Sequence, residues 1–157
     1  MIMENEEKYT IEQVLAEKGL YMGPTVGVSM QPMLKERRDT IVVRPKTERL
    51  KRLDVALYRR GDAYVLHRVL ESIEGGYIIR GDNCYADENV PEQAVIGVLT
   101  EFFQKGKHIY CTDKSYIRYA ERRLRWYKPR RFFVRVKCKL KAVVKKCLPF
   151  LKNKKGN

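Results

Sequence analysis

Acidic residues all but vanish from the C-terminal end of this chain. Between Lys114 and Asn157 a single acid, Glu121, stands against 17 Lys+Arg; of the chain's 33 bases and 19 acids, that leaves 16 and 18 for residues 1–113. The formal net charge of +14 is therefore a property of the tail, and the body is close to neutral. A basic tail on a near-neutral body points to a polyanion, either an anionic lipid surface or nucleic acid, with a solvated, solubilising helix as the competing reading.

Cysteine is sparse as well. Cys84, Cys111, Cys138 and Cys147 form no C-x-x-C pair and have no histidine at zinc-ligand spacing, which argues against structural zinc; no metal or cofactor is expected. The opening MIMENEEKYTIEQ is polar and acidic where an export signal is basic and then apolar. The apolar stretch 132–151 carries Arg135, Lys137, Lys139, Lys141, Lys145 and Lys146, too many cations for a comfortable transmembrane span. These features set the expectation of a cytoplasmic protein with reduced thiols, peripheral at the inner face of the membrane if its tail meets lipid.

What is present fits one folded domain: 157 residues, 44% of them apolar. Thr10 to Lys18 reads as a short helix, with Ile11, Val14 and Leu15 on one face, a Thr10/Gln13 capping box and Gly19 placed to end it. Short β-branched or aromatic runs follow at 40–43, 54–58, 63–70, 76–80 and 94–103, with turn-like GD, EGG and GDN segments among them. The EGG after Leu70 suggests a hairpin. From Asp113 the spacing turns helical, with Tyr116, Tyr119, Ala120, Arg123 and Tyr127 on one face and Pro129 as the expected break. The chain thus reads as a mainly β body with some α over 1–112 and a basic amphipathic helical tail over 113–157. Within the tail, residues 130–151 can lie in an anionic membrane surface or pack on the body, and nucleic acid ranks below lipid as a partner.

The chemistry concentrates in three segments. Gly27-Val28-Ser29-Met30-Gln31-Pro32 offers a serine, which becomes a nucleophile only with a base to take its proton and donors for the oxyanion. Tyr64-Val65-Leu66-His67-Arg68-Val69 sets a histidine inside an otherwise apolar strand, where a satisfied core imidazole is the alternative. Ile79-Arg80-Gly81-Asp82-Asn83, followed by Asp87-Glu88, supplies carboxylates that can orient an imidazole.

In order and spacing, the SMxP serine, a D-V strand, the HRV box and GDN with an acid five or six residues on resemble the catalytic core of type I signal peptidases of the endoplasmic-reticulum kind. There histidine stands where most bacterial relatives and LexA-type repressors use lysine. The resemblance covers residues 25–100. It is nearest to a group of short bacterial peptidases without a membrane anchor, which share the LHR box, the IGVLT-like strand, a Lys105-Gly106-Lys107 turn and a basic, aromatic tail. It implies a partly barrel-like β-body with a short N-terminal helix and basic C-terminal helices.

The same resemblance implies roles for individual residues. Ser29 would be the nucleophile and His67 its base, with Met30 and Pro32 shaping the turn and the Ser29 N–H a candidate oxyanion donor. Asp82 matches the GDN aspartate, and the second acid falls on Glu88 or on Asp87 beside it. Side-chain type favours Asp87 or Asp82 over Glu88. Arg68 points to the face opposite His67 and is structural or substrate-facing. His108 reads as a surface residue, and Cys84 lies between the candidate acids.

Two departures narrow the function. A soluble helix precedes the serine where anchored signal peptidases carry a span, and about two dozen residues are too few for the helix-turn-helix of LexA-type repressors. The expectation is a serine endopeptidase that cleaves a peptide or protein precursor at the cytosolic side. The alternative is a non-catalytic peptide-binding module with a lipid- or nucleic-acid-binding tail.

Overall fold

The computed structural model describes residues 9–134 and 136. Contacts divide the chain after Ala120 into two compact units.

The first unit opens with helix α1 (Ile11–Lys18), which the local sequence dictates. Thr10 caps it through the reciprocal bonds with Gln13, and Gly19 ends it at φ 68°, a left-handed conformation that glycine adopts without penalty. Then comes the antiparallel sheet: β1 (Tyr21–Pro24), β2 (Thr40–Pro45), β3 (Val55–Arg60), β4 (Ala63–Ile73), β5 (Gly76–Arg80), β6 (Glu88–Pro91), β7 (Val95–Gln104) and β8 (Lys107–Tyr110). The spatial order is β1-β2-β7-β3-β4-β5-β6, with β8 pairing on β7. The sheet curls into a half-barrel, and register shifts at Val42/Val43, Leu57/Tyr58 and Val69/Glu71 supply local bends.

Both faces of the sheet are covered. One carries the buried cluster of Leu15, Met30, Leu34, Ile41, Leu57 and Phe102 with their neighbours, and the other that of Leu50, Ala56, Tyr58, Val69, Tyr77 and Val95. Alternation along β4 therefore sends His67 to the Tyr58 side and Arg68 to the opposite core. The five expected strand runs are present, and the EGG segment turns β4 into β5 with Gly75 at φ 72°. Three short strands escape sequence reading: β1 and β6, which carry Gly or Pro, and β8 beyond the Lys105–Gly106 turn.

Helix α2 (Lys114–Arg125) begins in the first unit, where Tyr116 and Ala120 are buried. The unit boundary thus falls inside the helix, later than the expected division at 112, because those two side chains complete the body's core.

In the second unit, helix resumes over 127–134 after an interruption at Trp126. Pro129 was the expected break; the interruption stands three residues earlier because proline lacks the N–H that would bond the carbonyl of residue 125 and crowds that carbonyl. Trp126, Phe132 and Phe133 are exposed. No helix among the described residues is long and apolar enough to cross a membrane. Most of the 130–151 stretch lies outside the described residues, as do Cys138 and Cys147.

Candidate active site

Ser29 sits in a loop after β1 that is tied down from both sides. The Gln31 N–H bonds Val28 O at 3.2 Å, and the Leu34 N–H bonds Met30 O at 3.1 Å. From the loop after β5, the Asn83 N–H donates to Ser29 O at 2.7 Å and Asn83 Nδ2 donates to Val28 O at 3.3 Å. Met30 is buried in the core and anchors the turn, whereas Pro32 is exposed and follows a cis Gln31–Pro32 peptide. Ser29 is half-buried, and neither its hydroxyl nor its N–H is engaged by any described group.

Gly81 brings this loop to the histidine. A Cβ at that position would stand 2.8 Å from Ser29 O, 2.9 Å from His67 Nε2 and 2.8 Å from Cys84 Sγ, so three groups converge where only glycine fits. The Ser29 carbonyl oxygen and the His67 ring therefore both pack against Gly81. Both line one cleft of about 520 Å³, which Cys84 and Glu88 also line. Burial raises the Cys84 pKa, so its thiol stays protonated at neutral pH.

His67 is 3% exposed, and its other nitrogen faces a polar network. The Tyr58 hydroxyl lies 3.2 Å from Nδ1 and donates to Glu88 Oε2 at 2.8 Å, while Glu88 Oε1 is 3.4 Å from Nδ1. Arg60 Nη2 donates to both the Tyr58 oxygen and Glu88 Oε1. Burial pushes the Tyr58 phenol up to about 12, so it keeps its single proton and spends it on the carboxylate. Its oxygen can then only accept from His67, which assigns the proton to Nδ1 and leaves the lone pair on Nε2, the nitrogen that lies against Gly81. Burial is also the main reason the His67 pKa falls below its ordinary 6.5, with Glu88 and Asp82 opposing and Arg60 assisting. The imidazole is neutral at neutral pH, as a general base must be.

The other two candidate acids are committed elsewhere. Asp82 forms a two-pronged pair with Arg68, Nε to Oδ1 and Nη2 to Oδ2 both at 2.8 Å, and also accepts from Tyr119. Arg68 is 0% exposed and donates further to Leu53 O and Tyr116 Oη, so it is a core residue that ties β4 to the GDN loop and α2. Burial works against the Arg68 charge, but the Asp82 carboxylate more than offsets it and raises the pKa. Asp87 accepts from Arg80 at 2.7 Å and is half-exposed. Of the three candidate acids, Asp82, Asp87 and Glu88, the carboxylate that faces the imidazole is Glu88, reaching in from the start of β6.

Sequence reading missed Tyr58 and Arg60 altogether. The alternation of β3 carried the signal, since Ala56 pairs with His67 and Tyr58 stands two residues on along the same face. His108 is exposed, as read, yet not alone: it stacks on Phe103 at 4.4 Å and pairs with Glu101.

The chain matches no protein-family model and no curated protein. A serine whose hydroxyl and N–H are engaged by no described group, a neutral imidazole lining the same cleft, and a carboxylate and phenol behind that imidazole are the kinds of group an acyl-transfer centre uses. Among the described residues, no group of three or more His, Cys, Asp or Glu side chains is gathered for a metal ion.

Proposed function

We propose that this chain is a serine endopeptidase of the signal-peptidase/LexA-like kind that cleaves a peptide or protein precursor at the cytosolic side, with Ser29 as nucleophile, His67 as base and Glu88 as the acid behind it. The observation that carries the reading is that the Ser29 carbonyl oxygen and His67 Nε2 both lie against Gly81 and both residues line one cleft, with the opposite imidazole nitrogen held by Tyr58 and Glu88.

In the reaction, the Ser29 hydroxyl attacks the scissile carbonyl as its proton passes to His67 Nε2, and the imidazolium is stabilised by Glu88. The Ser29 N–H receives the oxyanion. His67 then gives the proton to the departing amine, leaving an acyl-serine. Water, deprotonated by the same nitrogen, releases the acid and restores the hydroxyl.

A peptide substrate is favoured by two strand edges at the cleft that no strand among the described residues pairs with. β1 is an edge of the sheet, and β4 pairs with β5 only from Arg68 onward, so no strand among the described residues pairs with the second side of 63–67. Backbone donors and acceptors there suit an extended chain. Attachment to an anionic membrane surface through residues 130–151 fits the exposed Phe132 and Phe133 among cations. The test is incubation of a proteome-derived peptide library with wild type and Ser29→Ala, read by mass spectrometry. Cuts made by wild type and missing with Ser29→Ala support the proposal; identical peptide patterns overturn it.

A further inference from the structure

The chain just before Ser29 is held poorly by its own side chains. Val26 is 81% and Val28 53% exposed, whereas Met30, just after the serine, is buried in the core. Thr25 is tied at the start, its N–H to Asp39 O and its hydroxyl to Lys35 O. Between Thr25 and Met30, the described hydrogen bonds that reach beyond the loop itself both come from Asn83: its N–H to Ser29 O at 2.7 Å and its Nδ2 to Val28 O at 3.3 Å. The Asn83 end is firm, because Asp82 beside it is paired with the core residue Arg68 and the Cys84 N–H closes the turn on Gly81 O at 2.9 Å.

We infer, resting on the peptidase reading above, that Asn83 is the positioning residue of the nucleophile: it holds the peptide planes on both sides of Ser29 and so aims the hydroxyl and the N–H that the reaction uses. Val28 O belongs to the plane before the Ser29 Cα, and Ser29 O to the plane after it. Two planes joined at one Cα turn against each other through φ and ψ alone, so restraining both fixes the direction of Cβ and leaves χ1 to place the hydroxyl. The Val28–Ser29 bond is trans, since the cis bond of the described chain is Gln31–Pro32. In a planar trans peptide the N–H points opposite to the C=O. A Val28 carbonyl drawn toward Asn83 therefore turns the Ser29 N–H away from it and leaves that donor for an oxyanion.

The three residues of the GDN turn have separate tasks. Gly81 lets the turn approach Ser29 O and the His67 ring, Asp82 fixes the turn to Arg68, and Asn83 reaches across to the serine loop. The backbone bond of Asn83 survives any change of its side chain, so a substitution tests the Nδ2 arm alone. Without that arm, Val28 O keeps the Gln31 N–H at 3.2 Å, a bond inside the loop, and the loop can swing as a unit. A misplacement of about 1 Å lowers a rate by as much as about 10²-fold. Asn83 is exposed, so its loss acts on the rate and not on folding.

The experiment has a kinetic arm and a relaxation arm. Asn83→Asp keeps the shape of the side chain and removes the donor; Asn83→Ala removes the donor without adding a charge. In the first arm, acylation of Ser29 by N-acetyl-leucine p-nitrophenyl ester is measured over a range of ester concentrations. Both variants are expected to lower the maximal rate at least about tenfold and to leave the half-saturating concentration within about twofold of wild type. In the second arm, NMR order parameters of the Val28 and Ser29 amides are expected to fall from about 0.85 in ¹⁵N-labelled wild type to below about 0.6 in the variants. Circular dichroism matching wild type shows that the variants are folded. Wild-type rates, a loss confined to Asn83→Asp, a loss carried by the half-saturating concentration, or unchanged order parameters overturn the assignment. If wild type itself is not acylated at Ser29, the peptidase reading falls, and the order parameters alone decide whether Asn83 holds the loop: a fall supports it and no fall overturns it.

Discussion

Glu88 Oε1 stands 3.4 Å from His67 Nδ1, and the Tyr58 hydroxyl bridges the same two groups at 2.8 Å and 3.2 Å. The imidazole is thus oriented by two partners on one side, and each can be removed separately.

Glu88→Gln keeps the shape of the side chain and removes the charge that stabilises the imidazolium. It is expected to lower kcat on the order of 10²-fold with little change in KM. Asp87→Asn, which disturbs only the half-exposed pair with Arg80, is expected to stay within about twofold of wild type. Steady-state kinetics on one library-derived peptide checks both.

Asp82→Asn acts through stability instead. Breaking the buried Arg68–Asp82 pair leaves an uncompensated guanidinium in the core and is expected to cost about 3–5 kcal/mol. Urea denaturation of the variant against wild type measures it, and a loss of activity without that loss of stability would assign Asp82 a catalytic part.

The Tyr58→Phe variant deletes one hydroxyl from a buried site. His67 Nδ1–H loses its nearer acceptor and Glu88 a donor, so kcat is expected to fall about tenfold with a stability loss of about 1 kcal/mol. If kcat were unchanged, Glu88 alone would suffice to fix the ring.

The pH profile follows from the shifted imidazole. Because burial lowers the His67 pKa, the base form persists to lower pH, and the acid limb of kcat/KM is expected below 6.5. Glu88 raises that pKa and Arg60 lowers it. Glu88→Gln therefore moves the limb further down, and Arg60→Gln moves it up. Opposite movements would mean that another group sets the limb.

How far the sequence can be read depends on how local the cause is. The α1 boundaries are legible because Thr10, Gln13 and Gly19 act within one turn of the residues they cap. The strands over 40–43 and 63–70 are legible because their apolar runs face packed layers. Tyr58 is not, and Glu88 is legible only as one of three acids, because nothing near them in the chain marks the imidazole as their partner; only the pairing of β3 with β4 and of β5 with β6 brings them to it. The break at Trp126 is not marked at its own position for a similar reason: proline interferes with the turn before it, so the residue visible in the sequence, Pro129, is not the affected one.

The central claim is that His67 makes the Ser29 hydroxyl a nucleophile, and an activated ester tests it without knowledge of the substrate. N-acetyl-leucine p-nitrophenyl ester is mixed with wild type, Ser29→Ala and His67→Gln, quenched early, and the acylated residue located by peptide mass mapping. The account predicts an acyl group on Ser29 in wild type, none there in Ser29→Ala, and acylation slowed at least about 10²-fold in His67→Gln. Acylation confined to other residues, or an equal rate in His67→Gln, would contradict it.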